Sequence, residues 1–386
     1  MASTRNGTRS LLVGIGSVLL VLGGAAAIAL PAFFGSGVGD DDLPGYKFPL
    51  RSDPIVVVPP ASNASRHVPS EIERVLRGYA ESGGTVYDPV ELPEDTRTSI
   101  AAALDDAFGT PSEPKLPGSD SDELKEGGRR YRLSCAFCHG LTGHGLGPTG
   151  IESDPHPRDF RLGKFKRVTG AGHATGRPRR SDLESVLKYG LPGVPGMGPT
   201  GLKDADIRKL VSYVVFLSIR GEVELALLKS HLDPEDAPPN DAKAFISERT
   251  AKCIEAWKKA DEPNPWSIPL RDRPERPTPE LQDSIRRGAA LFHSSAAGCA
   301  GCHEAYGSTP RFRYDAWGHP HRVRNLTEKD RLWSREPLDV ARQIRFGIPA
   351  ANMPAHPSLS DADLADLVDL LRELPFPERL PADVTP

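Results

Sequence analysis

The sequence carries no surplus of charge of either sign. Its 48 basic and 52 acidic residues leave a formal net charge of −4 over 386 residues. A nucleic-acid partner normally demands a basic face, so none is expected; the total does not address local patches that steer docking. Cysteine is scarce and odd in number: Cys135, Cys138, Cys253, Cys299 and Cys302. Five thiols argue against a simple disulfide framework. Methionine is scarcer still, with Met1, Met197 and Met353 alone. It is therefore not the scattered core filler it usually is. Glycine and proline are plentiful, at 37 and 38, which implies long loops or linkers.

The length predicts two or three compact units. At the N-terminus, Arg5 and Arg9 precede an uncharged run whose apolar part, Leu11 to Phe34, is 24 residues long. That length spans a bilayer as a helix. Basic residues before it and none directly after place the N-terminus in the cytoplasm and the rest outside. A cleaved signal peptide is the alternative, with small residues at Ala25, Ala27 and Ala29. The anchor is preferred because the apolar run continues through Leu30, Phe33 and Phe34. Either way the chain is exported. The expected location is the cell membrane, single-pass, with the remainder on the periplasmic side and Leu11–Phe34 in the lipid bilayer.

Residues 1–39 are thus read as a signal anchor. Residues 40–120 are a solvated tether plus a small helical region, with short helices over Glu71–Tyr79 and Thr96–Phe108. Two mutually similar units follow, 121–221 and 281–376. Each opens with a helix carrying Gly and an aromatic four positions later, Gly127 with Tyr131 and Gly288 with Phe292, on one helix face. Each continues into C-x-x-C-H and then an Arg-Asx-apolar triplet, Arg158-Asp159-Phe160 and Arg324-Asn325-Leu326. Tyr189-Gly190-Leu191-Pro192 answers Phe346-Gly347-Ile348-Pro349. Each closes with an amphipathic helix, marked by Ile207, Leu210, Val211, Val214 and Val215, and by Leu364, Leu367, Val368 and Leu371. The unit is a duplication the size of a small domain. Between the copies, 222–280 holds a helix around Phe245–Lys259 and a proline-dense stretch expected to be a stiff spacer. Residues 377–386 are read as a tail.

Cys135-Ala136-Phe137-Cys138-His139 and Cys299-Ala300-Gly301-Cys302-His303 carry the chemistry. C-x-x-C-H is the attachment signature of c-type haem. Two thiols three positions apart can add to the two vinyl groups of one porphyrin, and the adjoining histidine supplies the proximal nitrogen to iron. A dithiol redox pair is disfavoured by the immediate histidine and the lack of a thioredoxin-like strand pattern. One shared zinc site is disfavoured because the pairs lie 164 positions apart, in separate repeats. Two covalently bound haem c groups, and their iron, are expected. The two internal methionines give independent support. Met197 lies 58 residues after His139 and Met353 lies 50 after His303. A thioether is a soft neutral ligand that favours ferrous iron, so the metal ligands are read as His139, Met197, His303 and Met353. Arg158 and Arg324 are candidates to pair with haem propionates, with a plain surface arginine as the alternative. Trp317, His319 and His321 follow the second motif and could line a haem edge. Cys253 reads as a buried or free thiol, and Arg177–Arg180 as a solvated loop.

Over 122–220 and 281–375, the chain resembles class I cytochrome c domains. The resemblance implies an all-α fold of two such domains after an N-terminal transmembrane helix, with long Pro/Gly-rich linkers. It also implies that Gly127 and Tyr131 meet the helix carrying Tyr213, and Gly288 and Phe292 the one carrying Leu367. The whole is similar in architecture to dihaem subunits of bacterial respiratory complexes, which implies redox protein partners, a membrane respiratory complex among them. An electron carrier with no catalytic residues is the expected function. A dihaem peroxidase would need a haem with an open or displaceable distal site, against which both methionines argue.

Overall fold

The computed structural model describes residues 46–57, 85–150, 153, 156–191, 197–329 and 336–385. Lys47–Pro386 forms one compact unit. The apolar run Leu11–Phe34 and the expected helix Glu71–Tyr79 lie outside the described residues. Among the described residues no helix is long and apolar enough to cross a membrane.

Helices dominate. Helix α1, Glu94–Phe108, starts two residues earlier than the sequence suggests, with Glu94 and Asp95 in its first turn facing the positive end of the helix dipole. It buries Ile100, Leu104 and Phe108, one stripe at four-residue spacing. Helix α2, Ser121–Ser134, is capped by Asp120, whose side chain accepts from Glu123 N at 2.8 Å. A single turn, α3 (Ala136–His139), follows. Then come α4 (Arg180–Tyr189), α5 (Asp204–Leu232) and α6 (Ala242–Asp261). The second repeat supplies α7 (Pro279–His293), α8 (Pro337–Phe346) and α9 (Asp361–Glu373). Ser360 and Asp363 form a capping box at the start of α9.

The same crossing is built twice. Helix α2 packs across α5, and α7 across α9. A Cβ added at Gly127 would collide with the carbonyl oxygen of Lys209, and one at Gly288 with that of Asp366. Glycine is required there because the backbones touch. Tyr131 meets Tyr213 with ring centroids 5.3 Å apart. One apolar core holds Leu124, Tyr131, Leu210, Tyr213 and Phe216; a second holds Ile285, Phe292, Leu364, Leu367 and Leu370.

Four expectations need correcting. The tether is not fully solvated: Phe48 and Ile55 are buried in the first core, and Arg51 N donates to Glu224 Oε1 at 2.9 Å. The flanking prolines Pro49 and Pro54 mask these anchors in the sequence. Strand β1 (Ile55–Val57) pairs antiparallel with β2 (Thr85–Tyr87). Helix α5 does not end near 221 but runs 29 residues to Leu232. Gly221 makes room for Arg161, whose Cα would lie 2.5 Å from an added Cβ. The proline-dense segment is no free spacer. Trp266, Ile268 and Leu270 pack on the second core, and Arg342 donates to the carbonyls of Asn264 and Trp266. Proline loses its N–H donor but its neighbours keep carbonyls and apolar side chains. The C-terminal tail is likewise docked, with Leu380 and Val384 buried in that core.

Candidate haem sites

Each C-x-x-C-H motif sits on a tight turn at the end of the opening helix of its repeat. In the first, Cys135 caps α2, and His139 N donates to the Cys135 carbonyl at 2.9 Å. Gly140, at φ +71°, ends the turn. In the second, Gly298 at φ +64° opens a 3-10 turn over Cys299–Gly301, and His303 N donates to the Cys299 carbonyl at 2.8 Å. The two thiols of each pair thus fall on one turn, three positions apart. All four are unpaired and half-buried. Burial pushes the Cys135 and Cys299 thiols up to about 11. They are protonated thiols at neutral pH, unlike the low-pKa thiolate of a redox dithiol. Among the described residues no group of His, Cys, Asp and Glu is arranged to hold a metal ion by itself.

The histidines are held identically. His139 Nδ1 lies 3.1 Å from the carbonyl oxygen of Arg158, and His303 Nδ1 lies 3.1 Å from that of Arg324. A carbonyl only accepts, so Nδ1 carries the proton and each Nε2 keeps its lone pair. Burial lowers the pKa of His139 to about 4 and lowers that of His303 as well. Both rings are neutral at ordinary pH, the form that ligates a metal. Phe160 stacks on His139 at 4.7 Å and fixes the ring plane.

The methionines also occupy matching positions. Leu191 N donates to Met197 O at 2.8 Å; Ile348 N donates to Met353 O at 3.0 Å. Gly190 and Gly347 open these loops at φ +71° and +73°. Met353 has a second main-chain bond, from its own N to Ile348 O at 3.2 Å. The neighbouring Asn352, in the left-handed region at φ +52°, donates from Nδ2 to Tyr314 O at 3.0 Å. Met197 packs half-buried on the first core, as Cys135 does; Met353 and Cys299 do so on the second. Pro192–Gly196 lie outside the described residues. Each site therefore offers two thiols, one imidazole Nε2 and one thioether beside an apolar core. That donor set fits a covalently held haem.

The arginine triplets act through their main chain as much as their side chains. Arg158 is no surface arginine. Its guanidinium donates to Asp315 Oδ2 at 3.3 Å and lies 4.0 Å over the Trp317 ring. Asp315 was not legible as a site residue, because nothing in its local sequence marks a partner 157 positions away. It sits on a ribbon made by strands β3 (Phe312–Tyr314) and β4 (Pro320–Arg322). Trp317 and His319 are buried there against the first repeat, with His319 5.1 Å from the His156 ring. The Arg177–Arg180 run is not a solvated loop: Arg177 is buried and pairs with Glu222, and Arg180 pairs with Asp261 at 3.1 Å. Cys253 packs half-buried on the first core, and burial pushes its thiol up to about 12.

Residues 122–214 and 283–371 both match the family described as cytochrome C oxidase, cbb3-type, subunit III. These two segments are cytochrome c domains, and the chain resembles subunits of respiratory complexes. No curated protein matches the chain in sequence. Among solved structures, the Kuenenia stuttgartiensis reducing HAO-like protein complex matches with 22% identity. The match covers 67% of this chain and 99% of that one at a TM-score of 0.44, too low to carry an argument.

Proposed function

We propose that this electron-transfer haem protein, built on two cytochrome c domains, binds two haem c groups. Cys135 and Cys138 hold one by thioether links; Cys299 and Cys302 hold the other. His139 with Met197, and His303 with Met353, ligate the two irons. The observation that carries the reading is the paired bond from each histidine Nδ1 to an arginine carbonyl, which leaves both Nε2 atoms ready to ligate. When bound, the haem supplies a one-electron ferric/ferrous couple. The chain does the rest. The carbonyls of Arg158 and Arg324 fix the imidazole tautomer and raise the basicity of Nε2. The thioethers favour the ferrous state. The guanidinium groups of Arg158 and Arg324 are the candidates to meet haem carboxylates.

Haems held by His139 with Met197 and by His303 with Met353 would supply electron transfer and offer peroxide and oxygen no site. The units 121–221 and 281–376 are the working domains. Leu11–Phe34 anchors them to the periplasmic face of the membrane, where redox protein partners, as part of a respiratory complex, donate and accept electrons. The support is the uncharged length of that run and the Arg5/Arg9 bias before it. Carbon monoxide and peroxide test the carrier reading. The purified protein is expected to be low-spin, to bind carbon monoxide poorly and to leave peroxide unconsumed. A high-spin haem that turns over peroxide would replace the carrier with a peroxidase.

A further inference from the structure

The ribbon at 312–322 touches the supports of both histidines. Two residues beyond its end, Arg324 holds His303 through its carbonyl. Within its turn, Asp315 and Trp317 hold the side chain of Arg158, whose carbonyl holds His139. Asp315 is itself rigidly placed. Its Oδ1 accepts from Trp317 N at 3.0 Å and His319 N at 3.1 Å, and its own N donates to His319 O at 2.9 Å. Only Oδ2 faces across the junction, 3.3 Å from Arg158 Nη1 and 3.8 Å from Lys166 Nζ.

We propose that Asp315, a residue of the second repeat, is a positioning residue for the first haem and sets its potential from across the junction. The inference rests on the two-haem reading. Asp315 is a buried carboxylate among cations and imidazoles, with the buried Asp159 as the other acid acting on Arg158 and His319. Arg158, Lys166, His319 and His321 face Asp315, and Lys166 is faced in turn by Arg158 and Arg324. In a partly desolvated setting such a charge acts over distance, since the effective dielectric is well below that of water. Removing it takes away the carboxylate that pairs with Arg158 and Lys166, so the net positive charge around Arg158 rises and ferric iron is disfavoured. It also frees the Arg158 side chain, loosens the carbonyl on His139 and weakens the imidazole as a ligand. Both effects raise the potential. Removing the Lys166 charge acts oppositely. Burial lowers the pKa of Lys166 to about 7, so the comparison belongs at pH 6, where it is charged.

The test is spectropotentiometric titration of the full haem-loaded chain at pH 6. The first haem is identified in a Met353→Ala background, where the second has lost its sulfur ligand. Asp315→Asn is expected to raise the first haem's ferrous-to-ferric ratio by roughly tenfold at fixed potential, or about 59 mV for one electron. Lys166→Met should shift it down, Asp315→Glu should restore it, and the second haem should move less. If Asp315→Asn fails to fold, Lys166→Met carries the test, since Lys166 is partly exposed. Two covalent haems with an unmoved first potential in these variants would overturn the inference and leave the two-haem reading intact. Equal shifts in both haems would also overturn it. Absence of covalent haem in the unmodified chain would remove both.

Discussion

His303 donates its Nδ1 proton to the carbonyl of Arg324 at 3.1 Å, which leaves Nε2 as the nitrogen with the free lone pair. The bond spans 21 residues and recurs at the same length between His139 and Arg158, 19 residues apart. A duplicated motif has kept its supporting carbonyl in the same place. The consequences follow from what sits opposite each Nε2.

Among the described residues Met353 makes two main-chain bonds and Met197 one. Met353→Ala should remove the sulfur-to-iron charge-transfer band of one haem and open it to carbon monoxide. The potential should fall by on the order of 0.1 V, since axial ligand choice spans about 0.8 V. Covalent attachment should survive, because Cys299 and Cys302 are unaltered. Visible and near-infrared spectra with a redox titration check this.

Gly288 lies where α7 meets α9, and an added Cβ would strike the Asp366 carbonyl. Gly288→Ala should destabilise the protein by about 1–3 kcal/mol, as overpacking does. Gly301→Ala, with nothing within 4 Å, should stay within about 0.5 kcal/mol. Equilibrium urea unfolding of the haem-loaded protein separates the two; equal losses would remove the helix-crossing explanation.

The helix-crossing glycines, the haem motifs and the methionine spacing were legible because each is a local pattern with a fixed period. The Arg158–Asp315 contact was not, since it joins positions 157 apart with no pattern at either end. The docked segment 263–279 misled for another reason. Its prolines read as a spacer, yet Trp266, Ile268 and Leu270 interleave with them and reach the second core. Helix α5 passed its expected end because no helix breaker follows Gly221 until Asp233 and Pro234.

His321 supplies a pH test of the packed ribbon. Burial lowers its pKa to about 3, against about 6.5 in an unfolded chain. The unfolded state therefore binds the proton first, so stability present above about pH 6.5 should decline as pH falls toward 3, by up to about 1.4 kcal/mol per unit. His321→Leu should flatten part of this limb. A residual slope should remain, since burial also lowers His319, His144 and His173. Unfolding at pH 7 and pH 4.5 decides; an unchanged slope would mean that His321 is protonated without penalty in the fold.

Each C-x-x-C-H motif is expected to hold one covalent haem, two in the chain. Acid–acetone extraction followed by a pyridine haemochrome assay of the precipitated protein measures it directly. About two haems per chain should stay with the protein, one per attachment signature. Haem that leaves with the acetone, or zinc in place of haem, would contradict it.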